Sequence, residues 1–411
     1  SSGTHDFTIN RRIISLSGTR LYDATTNAVA SDLSTHGNLV GSQTLALSGT
    51  GTITSKNVES NKTVSVGTLA LADGSNGGLA ANYTLSGGTH QLTVNQRPLN
   101  ATLARQYDAS TTAAGSTLSS FDALQGGENL TMTGSGTASS ANVANSISMS
   151  NNGDLTLADG SGGSAGLASN YSLNSTVINI TQRVLDSSGS ETYDANTDAI
   201  ASAITLSNLA GGETLTHSGT ASTSSANAGS YTINNLSGIS IDNSSGSASN
   251  YTLTGGTHNF TINKRVVSLS GGSRQYNGSS TAIAADLPTI NNLVGSETLT
   301  LSGNGVVENA NVGDNKPLTN LSGLTLQNGS NGGLAANYTL SGGSSIISIT
   351  PRILSLDGSR VYDGTTNSNS SDLTITNLVG SETLSLSGFG TVASGNIGIN
   401  KTISLKKYFT K

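Results

Sequence analysis

The sequence predicts an all-β protein, a linear tandem array of small β-sandwich-like modules of about 85 residues joined by nearly continuous strands. Three observations predict it. A Tyr-Asp turn recurs five times at near-constant spacing, which marks one structural unit copied in tandem. Short runs alternate polar and apolar residues about every 8 to 12 residues between Gly, Asn and Ser, as in sandwich strands. No stretch of ten or more residues carries the 3.6 period of an amphipathic helix.

The turn is clearest as Arg360-Val361-Tyr362-Asp363-Gly364-Thr365-Thr366. Its counterparts are Tyr22-Asp23-Ala24, Tyr107-Asp108-Ala109, Tyr193-Asp194-Ala195 and Tyr276-Asn277-Gly278. The tyrosines at 22, 107, 193, 276 and 362 are separated by 85, 86, 83 and 86 residues. The expected division is a closing strand at 1–10, complete repeats at 11–96, 97–182, 183–263 and 264–350, and a partial repeat at 351–411. A parallel β-helix would repeat every 20 to 30 residues or so, a period the chain does not favour.

Composition narrows the function. Only 10% of the 411 residues are charged, against roughly 25% in typical soluble proteins. The net charge of −6 is thinly spread, so no basic stripe is present to hold nucleic acid. The chain has no cysteine, which rules out disulfides and thiolate metal sites within it. No apolar run approaches the roughly 20 residues of a membrane helix, so membrane insertion of this segment is not expected. Ser1 to Asn10 lacks the basic start and apolar core of a signal peptide.

In chain order, His5-Asp6-Phe7-Thr8-Ile9-Asn10 alternates as a half-buried strand, and its copies close each repeat at 90–95, 176–181, 258–263 and 345–350. An Arg follows within two residues (Arg97, Arg183, Arg265, Arg352), and the next strand begins without a Gly/Ser or Pro-rich linker. This continuity predicts fixed angles between neighbours and a stiff rod. After the Tyr-Asp turn come a polar segment and a turn leading to a strand. That turn carries Gln43, Glu128, Glu213, Glu297 and Glu382. An Asn-Val-type turn follows, then a Gly-rich loop and an Asn-Tyr strand with Tyr83, Tyr171, Tyr251 and Tyr338. The Ala-rich 281–287 stretch is expected to make one helical turn at most. Tyr22 and Tyr83 are the expected large core residues of the first repeat. A repeat this small buries only about 60–65% of its unfolded surface, so packing between repeats is expected to contribute.

Each candidate site has a plain structural alternative. The five positions Asp23, Asp108, Asp194, Asn277 and Asp363, and the loop at Asp73, suggest calcium. Asn277 replaces the acid in one copy and Asn328 stands in for Asp73 in another, so Asx-turns are the expectation. No cofactor is expected. The histidines His5, His90 and His258 share one repeat position and are read as exposed strand residues. The recurring glutamates lack a recurring partner acid of the kind a glycosidase uses and are read as turn or edge residues. Lys62, Lys316 and Lys401 raise the chemistry of Lys–Asn isopeptide bonds, which needs a buried Lys, an Asn and an acid together. The second and third repeats have no Lys at that place, and such a bond is not expected. Asn-x-Ser/Thr sequons abound, but sugar at Asn82 would crowd a core Tyr.

Val361-Tyr362-Asp363-Gly364-Thr365-Thr366, Asn377-Leu378-Val379-Gly380-Ser381-Glu382-Thr383-Leu384 and Gly333-Leu334-Ala335-Ala336-Asn337-Tyr338-Thr339-Leu340 together resemble the tandem YDG repeats of bacterial filamentous-haemagglutinin-like adhesins. The resemblance covers all but the last six residues. It implies a non-enzymatic spacer in a secreted or outer-surface protein of Gram-negative bacteria, with no catalytic residue to carry over. Its expected partners are neighbouring repeats of the same chain, with host or bacterial surface glycans or proteins as further candidates. Two further expectations stand beside the spacer: direct, multivalent binding of glycan or neighbouring repeats, and head-to-tail assembly by strand addition.

Overall fold

The second repeat displays the architecture most fully. Its first strand, Arg97–Gln106, lies parallel to its last, Tyr171–Thr181, paired from Arg97 with Tyr171 to Gln106 with Thr181, with a one-residue register shift between Leu99 and Asn100. The chain therefore leaves a repeat running in the direction in which it entered. Around this pair a six-stranded sheet runs in the order Thr112–Ala114, Ser135–Ala138, Ala144–Asn151, Tyr171–Thr181, Arg97–Gln106, Leu118–Phe121. A separate antiparallel ribbon joins Leu130–Thr133 to Thr156–Asp159. Alternation sets the buried face: Leu99, Ala101 and Leu103 point into the core from one strand, and Ile178 and Ile180 from its neighbour.

The structure, a computed structural model, describes residues 3–233 and 235–409. The same arrangement recurs in the first repeat, where Ser15–Leu21 pairs in parallel with Gln91–Asn95, and in the fourth, where Gly272–Gln275 pairs with Ile346–Thr350. The protein is a tandem all-β array, and its strands pass nearly unbroken from the first repeat through the fourth, whereas residues 351–355 between the fourth and fifth form no strand. Gln91–Asn95 and Arg97–Gln106 are separated by the single residue Gln96. Among the described residues, helical content is confined to single 3-10 turns such as Ala284–Asp286, the one turn expected in that stretch. Gly18 is required where it stands: a Cβ there would lie 1.7 Å from the Asp32 carbonyl oxygen, so the first strand could not pass the 3-10 turn.

Two expectations fail. Residues 5–10 form no strand, and Phe7 and Ile9 are exposed. The copies of this segment pair with strands that precede them in their own repeats, as Gln91–Asn95 does with Ser15–Leu21. His90 and His258 are buried, and only His5 is exposed. His90 shares its strand face with Leu92 and Val94, and its Nδ1 accepts the Leu16 backbone N–H at 3.2 Å. Ser345 accepts the Leu269 N–H in the same way in the fourth repeat. In these two repeats the position supplies the acceptor for a buried amide, a role that His and Ser can both fill; in the third the matching Ser187 N–H bonds the Thr257 carbonyl instead.

The hydrophobic core does not respect repeat boundaries. One cluster joins Ile14, Leu16, Tyr22, Leu92 and Val94 of the first repeat to Leu99, Leu130 and Tyr171 of the second. Another joins Leu103, Tyr107, Met132 and Ile178 of the second to Leu185, Ala210 and Tyr251 of the third. Two compact units result. The first holds Ser1–Asp186, Leu206–His217 and Ile241–Gly256, and the second holds Ser187–Thr205, Ser218–Ser240 and Thr257–Lys411. The division falls inside the third repeat. Its Glu213 turn and Asn-Tyr strand belong with the second repeat, and its Tyr-Asp half belongs with the fourth.

Candidate interface between repeats

The Tyr-Asp turn is locally determined. In all five copies the Asp or Asn Oδ1 accepts the backbone N–H two residues on, from Thr25, Ser110, Asn196, Ser279 and Thr365. The residue between is left-handed: Ala24, Ala109 and Ala195 at φ 61°, 64° and 68°, and Gly278 and Gly364 at 74° and 76°. These are Asx-turns, in which Asn serves as well as Asp. An Arg three residues back, Arg20, Arg105, Arg274 or Arg360, bonds the same side chain. The third copy has Glu191 there instead, and burial with the nearby Asp194 and Asp198 charges raises its carboxyl pKa. Asp73 and its counterpart Asn328 each cap a 3-10 turn, accepting the Ala80 and Ala335 N–H at 2.7 and 2.8 Å. Among the described residues no three His, Asp or Glu side chains gather as a metal site.

Each of the first four turns holds its tyrosine at the end of the first strand, where the backbone N–H bonds the last residue of the closing strand (Tyr22 to Asn95, Tyr107 to Thr181) at 2.9 Å. The tyrosine then reaches into the following repeat. Tyr22 Oη donates to Glu128 Oε1 at 2.7 Å, and Tyr171 Oη donates to the other oxygen, Oε2, at 2.8 Å. Tyr107 and Tyr251 hold Glu213 at 2.7 and 2.5 Å. Tyr193 and Tyr338 hold Glu297 at 2.6 and 2.5 Å. In each trio the rings meet edge to face, with centroids 5.2 to 5.4 Å apart, a favoured aromatic geometry. The second tyrosine's oxygen also accepts a backbone N–H, from Gln125, Ala210 or Val294.

A second lock lies beside the first. Asn170, Asn250 and Asn337, each preceding the second tyrosine, are at most 1% exposed. Each Oδ1 accepts an N–H of the preceding repeat, from Val58, Val143 or Ala228, at 2.8 to 2.9 Å. Each Nδ2 donates to Asn57, Asn142 or Asn227 at 3.0 Å. The Asn-Val turn and the Asn-Tyr strand are thus two halves of one contact. Buried at this depth, these asparagines cannot carry sugar. A third tie runs from Arg97, Arg183, Arg265 and Arg352 to the carbonyls of Tyr22, Tyr107, Tyr193 and Tyr276.

The recurring glutamates do stand in turns, as read from the sequence, each N–H bonding the carbonyl three residues back, but their carboxylates also serve the junctions, a role not read from the sequence. Glu128 is 9% exposed, and two phenol donors satisfy its oxygens. Their partners lie 106 and 43 residues away, beyond any local pattern. One signal pointed to the contact: Gln43 replaces Glu only in the first copy, which has no Tyr-Asp turn ahead of it in this sequence. There Tyr83 donates to Gln43 Oε1 at 2.5 Å, and Asn82 is exposed.

Electrostatics follow the geometry. Burial pushes the Glu128 carboxyl up, but bonds from Lys56, Tyr22 and Tyr171 together outweigh it and hold the pKa below the usual value. Burial first, then the neighbouring glutamate, raises the phenols of Tyr193, Tyr251 and Tyr338 to about 12. Burial and Glu128 likewise raise Tyr171 to about 12, against an opposing bond from the Gln125 backbone. Of the sequence-predicted tyrosines, 22, 83, 107, 171, 193, 251 and 338 are buried. Tyr276 is half-buried on Glu382, and Tyr362 is exposed.

An all-β chain whose repeats share core and buried polar locks is a tandem repeat protein built on contacts between its repeats. The YDG domain profile matches it five times, over residues 8–93, 89–178, 179–258, 263–345 and 348–410. The chain belongs to the YDG domain family. Comparison with curated proteins returned no match.

Proposed function

We propose that this chain is a spacer segment of a filamentous-haemagglutinin-like bacterial surface adhesin, projecting an adhesive region from the outer surface of a Gram-negative cell. The observation that carries this reading is the Tyr–Glu–Tyr lock with its Asn–Asn partner, repeated at successive junctions. A spacer transmits reach only if adjacent repeats do not swivel. Swivelling here would expose a carboxylate, two phenols and a buried amide pair at once, so fixed junctions are the low-energy state. The absence of charge clusters and the polar, Ser/Thr/Asn-rich surface suit a segment that separates other parts without binding them. On this reading the protein is not an enzyme and needs no cofactor, and its partners are its own neighbouring repeats.

Small-angle scattering of the whole chain tests the spacer. An elongated particle of fixed length agrees with it, and a compact or freely jointed one sinks it. Retention of the chain on an array of surface glycans would instead favour direct binding by the repeats.

A further inference from the structure

The fourth repeat gathers a set of groups found in no other among the described residues. Lys316 Nζ lies 2.6 Å from Asn309 Oδ1, with a side chain only 8% exposed. Glu308 Oε1 is 3.6 Å from the same nitrogen. The Asn311 backbone N–H donates to Asn309 Oδ1 at 3.1 Å. The stem of Lys316 is packed against Gly313, where a Cβ would lie 3.3 Å from Lys316 Cδ. The amine is therefore held on the carboxamide and is not free to swing into solvent.

The other repeats show what is special here. Position 309 is Ser55, Ser140, Ser225 and Ser394 in its copies, and each Ser Oγ accepts the same backbone N–H two residues on. The turn needs only that acceptor, and serine supplies it. Asn309 fills the role too but adds an electrophilic carbon. At the lysine position the second and third repeats place Ile147 and Tyr231, each opposite the closing strand. Lys62 of the first repeat bonds Glu59, and Lys401 of the fifth bonds backbone carbonyls. Only in the fourth repeat, among the described residues, do amine, carboxamide and acid coincide.

We propose that Lys316 and Asn309 join in a self-catalysed isopeptide bond. Glu308 takes a proton from Nζ, and the neutral amine attacks Asn309 Cγ. The Asn311 N–H stabilises the negative charge that develops on Oδ1, as an oxyanion-hole donor does. Glu308 then gives that proton to the departing Nδ2 and takes the second Nζ proton, which it hands to the released ammonia or to solvent. The Nζ–Cγ bond forms, the Cγ–Nδ2 bond breaks, and one ammonia leaves. No oxidant or second reactant is required. Proximity supplies the rate, since nucleophile and amide are already in contact. The bond closes a covalent loop around the Asn311-Val312 turn, whose copies Asn57-Val58 and Asn142-Val143 grip the following repeat.

Intact-mass and fragmentation mass spectrometry of the full chain test this. The expected result is a mass lower than the sequence mass by one ammonia, with backbone fragments missing between residues 309 and 316. Asn309→Ser restores the residue type of the other repeats, so the fold is retained, and with Lys316→Arg it should abolish the loss. Glu308→Gln should leave most of the chain unlinked. The proposal is overturned by wild-type protein at full sequence mass with an unbroken fragment series. A loss that persists in Lys316→Arg also overturns it, because a succinimide at Asn309-Ala310 loses the same ammonia without the lysine. Neither outcome depends on the spacer reading, which scattering tests separately.

Discussion

The junction between the first and second repeats and that between the fourth and fifth use the same residue types, yet they differ in closure. At the first, Glu128 receives two phenols and a lysine, and Tyr22 is fully buried. At the last, Glu382 receives Tyr276 alone among the described residues, and that tyrosine is half-buried. Beside it lies a cavity of about 430 Å³ lined by Tyr276, Val312, Pro351, Val379, Glu382 and Leu384. Burial is the main reason the Tyr22 phenol resists ionisation, whereas for Tyr276 the bond to Glu382 comes first. The second tyrosine therefore supplies more than a hydrogen bond. It excludes water, and exclusion strengthens every polar contact around the glutamate.

Breaking the closed junction should show the largest effect. Glu128→Ala leaves two buried phenols and Lys56 without their acceptor and should cost about 3–5 kcal/mol. Faster hydrogen exchange at the Gln125 and Val58 amides would report it, and unchanged exchange would remove the lock from the account. Asn170→Ala should cost about 1–3 kcal/mol, since it strands the buried Val58 N–H and the Asn57 side chain. Exchange at Val58 alone should rise.

Solution pH acts on the same groups from both sides. The Glu128 pKa is depressed in the fold, so its contribution is complete above the ordinary glutamate value of about 4.3 and fades as pH falls through the lower folded value. The phenols of Tyr171, Tyr193, Tyr251 and Tyr338 are raised to about 12. Their contribution is complete below the ordinary value of about 10 and is lost as pH rises toward the folded one. Junction opening should therefore coincide with tyrosinate absorbance on the alkaline side. Tyrosines that titrate together near the ordinary value in the folded protein would contradict the buried clasp.

Smaller effects sharpen the contrast at the turn. The Ala24 Cβ packs near Gly126 across the first junction, whereas across the last the small residue is Gly278, facing Val379. Gly278→Ala would bring a Cβ to 2.8 Å from Val379 Cγ1 and should destabilise by about 1 kcal/mol. Adding Val379→Ala should recover only the steric part of that in thermal unfolding, because the left-handed φ of 74° still penalises a Cβ. Tyr276→Phe should be the mildest change, clearly weaker than Tyr22→Phe. Equal losses would erase the distinction between open and closed junctions.

Much of this was legible in the residues. Period-2 alternation around Leu99, Ala101 and Leu103 marks a strand because side chains alternate across a sheet whatever lies beyond it. Tyr-Asp-Ala and Tyr-Asp-Gly mark a turn because an Asx side chain and its backbone close the ring within three residues. The burial of His90 and the role of Glu128 were not legible. Each depends on a donor 74 or 106 residues distant, and a glutamate beside a glycine turn looks the same whether it meets water or two phenols. The same limit hid Asn309, which as a turn residue differs little from the serines it replaces.

The sequence by itself determined the all-β class, the repeat of about 85 residues and the five Asx-turns, because local sterics and hydrogen bonding specify them within a few residues. The tertiary structure alone decided that the repeat boundary is not the boundary of packing. Tyr22, Glu128 and Tyr171 acquire their burial and their shifted protonation equilibria only when the fold brings the end of one repeat against the turn of the next.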